Sequence, residues 1–219
     1  MIKLNVLYED NHIIVVEKPI NVLSQADCTK DLDLLSMVKS YVKDKYKKPG
    51  NVYIGLVHRL DRPVGGVMVF ARTSKAAARL NEQIKKHQMQ KKYLAIVNGI
   101  LEQKKGRFSD CLKKLSNGST IVDPLGKESI LDYEVLDVNK KNNHTLVSIS
   151  LITGRHHQIR VQFSSRGYTL CGDQRYGKID GTQLSLFAYE LSFYHPISKE
   201  LMTFTVLPPK NGYWTEFIL

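Results

Sequence analysis

The chain has 219 residues, 42% of them hydrophobic, and carries 32 Lys and Arg against 21 Asp and Glu, a formal charge of +11. That length buries a core without disulfide or metal staples, and the positive surface favours polyanions, nucleic acid first among them. There is no run of about 18 apolar residues and no apolar core behind a basic start at Met1-Ile2-Lys3-Leu4-Asn5, and Cys28, Cys111 and Cys171 are odd in number and far apart; these features argue against a membrane span, a secretory leader and a paired-cysteine site, so reduced thiols in a cytoplasm are expected, with no metal.

In chain order, Ile13 to Val16 is a β-branched run closed by Lys18-Pro19, a buried strand entering a turn. From Asp31 to Lys47 the residues Leu34, Leu35, Val38, Val42 and Tyr46 recur at helical spacing, with lysines mostly elsewhere. Pro49-Gly50 ends that helix, and Tyr53 to Val57 reads as a strand leading to His58-Arg59-Leu60-Asp61-Arg62-Pro63-Val64-Gly65-Gly66. Val67 to Ala71 is a strand buried on both faces. Thr73-Ser74 offers an N-cap to a helix running to about Lys86, with Ala77, Leu80 and Ile84 inward.

Lys92 to Val97 is a further strand, closed by the turn signal Asn98-Gly99. The lysine-rich stretch from Leu101 to Lys127, with Asn117-Gly118 and Pro124-Leu125-Gly126, has weak periodicity and reads as an exposed excursion with one hairpin. Val147, Ile149 and Leu151 alternate with serines, the period of a half-buried strand. Thr153 to Arg166 reads as the last helix, stopped by Gly167; Phe187 to Phe193 and Thr203 to Val206 are the final strands. Many strands, three helices and no Gly-rich phosphate loop predict an α+β architecture, and no repeat or linker divides the chain, so one compact unit over residues 1–219 is expected.

The chemistry-bearing segment is His58 to Gly66. It sets Asp61 between Arg59 and Arg62, and neighbouring guanidinium groups favour the ionised acid, as a nucleophile or an ion-pair anchor requires. By itself this pattern also fits an acid capping a turn.

Three further segments in fixed order separate the two readings. Together with Tyr8-Glu9-Asp10 and Lys18-Pro19, the run His58-Arg59-Leu60-Asp61, the strand Lys91-Lys92-Tyr93-Leu94-Ala95-Ile96-Val97-Asn98-Gly99, the stretch Thr153-Gly154-Arg155-His156-His157-Gln158-Ile159-Arg160 and the turn Gly172-Asp173-Gln174-Arg175-Tyr176-Gly177 resemble the RluA family of pseudouridine synthases, from about residue 8 to residue 177. The resemblance implies a catalytic domain on a mixed, mostly antiparallel sheet flanked by helices and loops. It implies uridine isomerisation in RNA, ribosomal or transfer RNA, with no metal or organic cofactor.

By the same resemblance Asp61 is the nucleophile, with attack on the sugar or on the ring both open to it. Arg155 is that acid's partner, and Tyr93 stacks on the target base with its hydroxyl near the carbon 5 proton. Leu170 lines the pocket, and His58, Arg59 and Arg62 are expected at the substrate, Arg62 on a phosphate or as a wedge. The target must leave its stack to be reached. With the pattern starting near residue 8, no separate N-terminal RNA-binding module is expected, and the chain is expected to act as a monomer.

The chain departs from the family at Val64-Gly65-Gly66, where Thr-Ser-Gly is usual, which predicts a looser turn. Asn21 replaces a glycine and tolerates positive φ; Gln25 and Gln162 replace histidines and cannot titrate. Two rival readings are a catalytically inactive RNA-binding or RNA-folding factor, which would have lost Asp61, and a hydrolase, which needs a second carboxylate such as Asp173.

Overall fold

The computed structural model describes residues 3–179 and 181–219. They gather into two compact units, neither continuous in sequence: Met1–Met89 with Glu190–Val206, and Gln90–Tyr189 with Leu207–Leu219.

The first unit holds β1 (Asn5–Glu9), β2 (Ile13–Lys18), α1 (Leu34–Lys45), β3 (Gly55–Leu56), β4 (Gly65–Ala71), α2 (Ser74–Lys85), β11 (Leu201–Thr205) and the latter half of β10 (Leu186–Tyr194). β2 pairs antiparallel with β1 on one side and β4 on the other, which is why Ile13 to Val16 are wholly apolar and wholly buried. All seven residues of β4 are buried, as its unbroken apolar run predicts. Asp10 fixes the β1–β2 turn by accepting the N–H groups of His12 and Ile13 at 2.8 and 2.7 Å, and its other oxygen meets His195 Nε2 at 2.9 Å.

Both helices start where a capping side chain is available. Asp33 accepts from Ser36 N–H and opens α1, whose Leu34, Val38 and Val42 are buried; Thr73 accepts from Ala76 N–H at 3.1 Å and opens α2. The inward stripe of α2 is turned slightly from the expected one. Ala76, Leu80 and Gln83 are buried, while Ala77 and Ile84 lie at the edge of a core with Ile13, Val15, Val67, Val69, Leu191 and Phe193. The strand expected over Tyr53–Val57 shrinks to Gly55–Leu56, paired with Ala71 and Phe70.

The second unit contains β5 (Gln90–Asn98), β6 (Lys105–Lys114), β7 (Thr120–Val122), β8 (Lys127–Asn139), β9 (His144–Leu151), α3 (Gln158–Ser164) and the first half of β10. Its strands run in the order β10, β5, β9, β8, β6, β7. Among the described residues the ladders within each unit are antiparallel, with a parallel bridge at Leu23–Asp33, in the mixed, mostly antiparallel α+β fold expected.

Two expectations are corrected here. The stretch 101–127 is not a surface excursion: β6 pairs with β8 from Lys105–Glu134 to Leu112–Lys127, and the predicted hairpin at Asn117-Gly118 joins it to β7. Its period is faint because one face carries cross-strand ion pairs, Lys105–Glu134 and Arg107–Asp132, while inward anchors are as sparse as Phe108 and Leu112. Phe108 packs edge-on to Phe163 and tilted against Tyr133, with ring centroids 5.0 and 4.8 Å apart. The last helix begins at Gln158 rather than Thr153, since His157 takes the left-handed conformation at φ 53° and cannot continue a helix toward the N-terminus. It ends at Ser164, two residues short of Arg166, and Gly167 follows at φ 84° with Tyr168 N–H returning to Phe163 O at 3.0 Å.

Candidate active site

Asp61 stands in the first unit with His58, Arg59 and Arg62; Tyr93, Arg155 and Leu170 stand in the second. Each group is held by a different kind of framework.

In the first unit, β3 delivers the chain to His58, whose Nε2 accepts from Val69 N–H of β4 at 3.2 Å. That nitrogen is committed to the strand. Leu60 is buried, and its backbone is gripped from both sides by Ser24: Oγ donates to Leu60 O at 2.7 Å and accepts from Leu60 N–H at 3.1 Å. Asp61 follows at the tip, and Val64 N–H closes the turn onto Asp61 O at 3.0 Å. Val64 is 2% exposed. An apolar anchor therefore stands where hydroxyls are usual, and the turn is closed rather than loose.

Behind this turn lies Lys18, fully buried, its Nζ donating to Pro19 O at 3.0 Å, Val22 O at 2.5 Å and Arg62 O at 3.0 Å. The lysine thus ties the Lys18–Val22 bend to the Asp61 turn across 44 residues of sequence. Burial drives its ammonium down to about 7, opposed by the charge of Asp61 and assisted by that of Arg62. Asn21 completes the bend at φ 62°, a conformation in which Asn replaces Gly at little cost. Arg62 reaches back over it, with Nε donating to Asn21 O at 3.3 Å and Nη1 paired with Asp31 at 2.7 Å in an exposed ion pair. Arg59 is exposed.

In the second unit Tyr93 sits on β5, 7% exposed and opposite Ile149 of β9. Leu170 is fully buried and bridges to Val97; Asn98 N–H donates to Thr169 O at 2.8 Å and Cys171 N–H to Ile96 O at 2.9 Å, so residues 169–171 run as an added strand beside β5. Arg155 lies in the loop between β9 and α3, exposed, with Nε donating to Glu128 O at 3.0 Å. It is not on the first turn of a helix. Its main chain is fixed by buried Gln158, whose Oε1 accepts Arg155 N–H at 3.0 Å and Thr153 Oγ1–H at 2.9 Å while Nε2 donates to Ile130 O at 3.1 Å.

Beneath that loop, Arg160 of α3 forms a buried two-pronged pair with Asp173 at 2.8 and 2.7 Å. The same carboxylate accepts the N–H groups of Arg175 and Tyr176 at 3.0 and 3.1 Å, and stays ionised against its burial because Arg160 and these donors hold it so. Tyr176 then accepts Thr120 N–H at 2.8 Å and meets His157 Nδ1 at 2.7 Å. Burial, then Arg160 and His156, hold His157 neutral, its pKa down to about 3. A carboxylate so enclosed cannot work across a sugar, which removes Asp173 as the second acid of a hydrolase.

Lys18, Ser24, Gln158, Arg160, Asp173 and Tyr176 organise these two regions without having been singled out for that role by residue type. All but Ser24 lie in the motifs quoted above, Lys18-Pro19 first among them; Ser24 carried no such signal. No group of three or more His, Cys, Asp or Glu side chains that could hold a metal occurs among the described residues, and no helix among them is long and apolar enough to cross a membrane.

Residues 12–165 match a family described as RNA pseudouridylate synthase. The chain is 33% identical to an uncharacterized RNA pseudouridine synthase of Aquifex aeolicus, over 96% of this chain and 71% of that one. It is also 33% identical to the dual-specificity RNA pseudouridine synthase RluA of Haemophilus influenzae, over 92% and 91%. In fold it resembles the solved structure of human RNA pseudouridylate synthase domain containing 4, with a TM-score of 0.80, 20% identity and 97% of this chain covered.

Proposed function

The chain belongs to the RluA family of RNA pseudouridine synthases, and from that premise we propose that it isomerises specific uridines of structured ribosomal or transfer RNA, with Asp61 as nucleophile and the target base flipped out of its stack. The observation that carries the assignment to Asp61 is the turn that holds it. Leu60, Asp61 and Arg62 each have a backbone group fixed by a partner at 2.7 to 3.1 Å, and a buried ammonium bears on the carboxylate's charge. An acid held this way reaches its target without first paying to order its own loop.

The remaining roles follow the family pattern. Tyr93 takes the face of the flipped uracil, its hydroxyl near carbon 5, and Arg155 supplies the cation that keeps the acid ionised. Extrusion costs on the order of a few kcal/mol, so loops and bulges are the favoured targets. The basic surface holds the RNA backbone; Arg59 is available for a phosphate, and Arg62 becomes so by exchanging Asp31 for one. The chain works as a monomer in the cytoplasm without metal or organic cofactor.

The test uses ribosomal and transfer RNA transcripts carrying tritium at carbon 5 of uridine. Wild type is expected to release tritium and Asp61→Ala none. Release by Asp61→Ala at the wild-type rate removes the nucleophile assignment, and no release by wild type on any transcript removes the substrate assignment. Mapping pseudouridines in total RNA from a strain lacking the protein identifies the site.

A further inference from the structure

Side chains alternate between faces along β5, so Lys91 and Tyr93 share one face and Lys92 takes the other. On its β9 side Lys91 has apolar neighbours: it pairs in register with Leu151 of β9, which pairs with Leu131 of β8. Asp132 of β8 pairs in register with Ser150 and so lies on the face of Lys92, joined to Arg107. Lys91 is half-buried, and its side chain makes no hydrogen bond or ion pair among the described residues. Burial alone holds its ammonium below the ordinary lysine range, with no carboxylate opposing.

A desolvated ammonium without a counter-charge is unfavourable in the protein by itself. The chain has 32 Lys and Arg, most of them exposed and able to meet phosphates that keep much of their water. A buried cation has its largest effect on a charge that develops in a dry site during reaction. On strand spacing Lys91 is about 6.6 Å from Tyr93, within the reach of its four-carbon stem to the edge of a ring stacked on that tyrosine.

We propose that Lys91 is a catalytic residue that donates a hydrogen bond to carbonyl oxygen O4 of the uracil stacked on Tyr93 and stabilises the negative charge this base carries during isomerisation. The inference rests on the function proposed above and names a further group for the same site. It holds for both attacks open to Asp61. Attack at the sugar sends the electron pair of the C1′–N1 bond into the ring, where it spreads onto O2 and O4. Addition at carbon 6 displaces the C5–C6 π pair toward O4. Lys91 keeps its proton in each case. On the first route carbon 5 bonds to C1′ as Asp61 leaves it, which quenches the charge; on the second the C1′–N1 bond breaks, carbon 5 bonds to C1′, and Asp61 is expelled from carbon 6. On both, carbon 5 then gives its proton to a base and N1 takes one up.

The experiment compares wild type, Lys91→Met, Lys91→Arg and, as control, Lys140→Met in the β8–β9 turn, at the far end of these strands. The probe is a tritiated transcript on which wild type is active. Single-turnover release at saturating enzyme is expected to fall on the order of 10²-fold in Lys91→Met, the usual loss for one donor at a developing oxyanion. Lys91→Arg should recover at least roughly a tenth of the wild-type rate, because charge and donor remain. RNA affinity and its salt dependence should stay within about twofold of wild type, since no phosphate contact is lost. Thermal unfolding should show Lys91→Met no less stable than wild type, because a desolvated charge is gone.

A wild-type rate in Lys91→Met overturns the proposal and leaves the enzyme assignment standing. A loss confined to RNA affinity with shallower salt dependence overturns it in favour of a phosphate contact. A slow Lys91→Met that also melts early, or one that Lys91→Arg does not rescue, overturns it in favour of a structural role. Inactivity of wild type on every transcript overturns it together with the function on which it rests.

Discussion

The turn that carries Asp61 and the loop that carries Arg155 are both fixed from below by a buried cation, yet the cations are used in opposite ways. Lys18 has no bidentate acid: its ammonium is spread over three main-chain carbonyls, from Pro19, Val22 and Arg62. Arg160 is closed onto Asp173, and that acid in turn organises Arg175 and Tyr176. The first arrangement fixes a backbone directly and leaves the cation's charge to be felt by Asp61. The second neutralises its charge internally and transmits position through side chains, leaving Arg155 exposed with its Nε on Glu128 O. An acid is thus presented on a backbone clamp beside a partly uncompensated charge, and a cation on a neutralised scaffold.

The contrast is most sharply tested where the largest effect is expected. Arg160→Met leaves Asp173 buried without its partner and should cost about 3–5 kcal/mol in urea unfolding, whereas Arg160→Met with Asp173→Leu should recover most of it. Equal losses in the single and double variants would show that Asp173 is needed for Arg175 and Tyr176 rather than for Arg160. Lys18→Met strands three carbonyls and should cost about 3 kcal/mol. No compensating second substitution exists for it, because its partners are backbone. Tritium release should fall more than RNA binding in that variant, and parallel loss of both would break the link between Lys18 and the Asp61 turn.

Arg155→Gln reads the other side of the comparison, since its guanidinium is exposed and its loop is held by Gln158. The rate at saturating RNA should fall on the order of 10²-fold, about 2.7 kcal/mol, with little change in the unfolding midpoint. A large drop in stability with a wild-type rate per folded molecule would make Arg155 a structural residue.

What could be read from the sequence divides along the same line. In the first unit β2 and β4 were legible because they are buried on both faces and read as apolar runs, whereas β1 carried no such run and the Tyr53–Val57 strand proved only two residues long. β6 was not, because its ladder is stabilised by Lys105–Glu134 and Arg107–Asp132, charges that look like loop composition when the partner strand is unknown. The start of α3 was placed early for a local reason. Nothing in Thr153 to His157 forbids a helix, and only Gln158 turning back onto Thr153 and Arg155, with His157 at positive φ, shows why none forms. Asp61, Tyr93 and Arg155 stood out through motifs, but the hands that hold them did not. Ser24 acts on Leu60 across 36 residues and Lys18 on Arg62 across 44, separations at which single-chain pattern is silent.

The smallest effect concerns pH and separates the two regions again. His157 is held neutral under the Arg155 loop by burial, Arg160 and His156, with a pKa near 3 against 6.5 for the free side chain. A depressed pKa means that the unfolded chain takes up the proton first. The stability contributed by neutral His157 is therefore fully present above about pH 6.5 and is lost as pH falls from there toward 3. His157→Asn keeps a residue that tolerates positive φ but does not titrate, so unfolding free energies measured between pH 7 and 4 should fall less steeply for the variant than for wild type. The same variant should leave the alkaline side unchanged, where the titration of Lys18 governs the other region: its pKa of about 7 lies below the ordinary 10.5, so the unfolded chain again binds the extra proton, and stability should rise with pH between those values in both proteins. Superimposable acid limbs for wild type and His157→Asn would mean that the histidine is already protonated in the folded loop, and that Tyr176 rather than its neutral ring holds that turn in place.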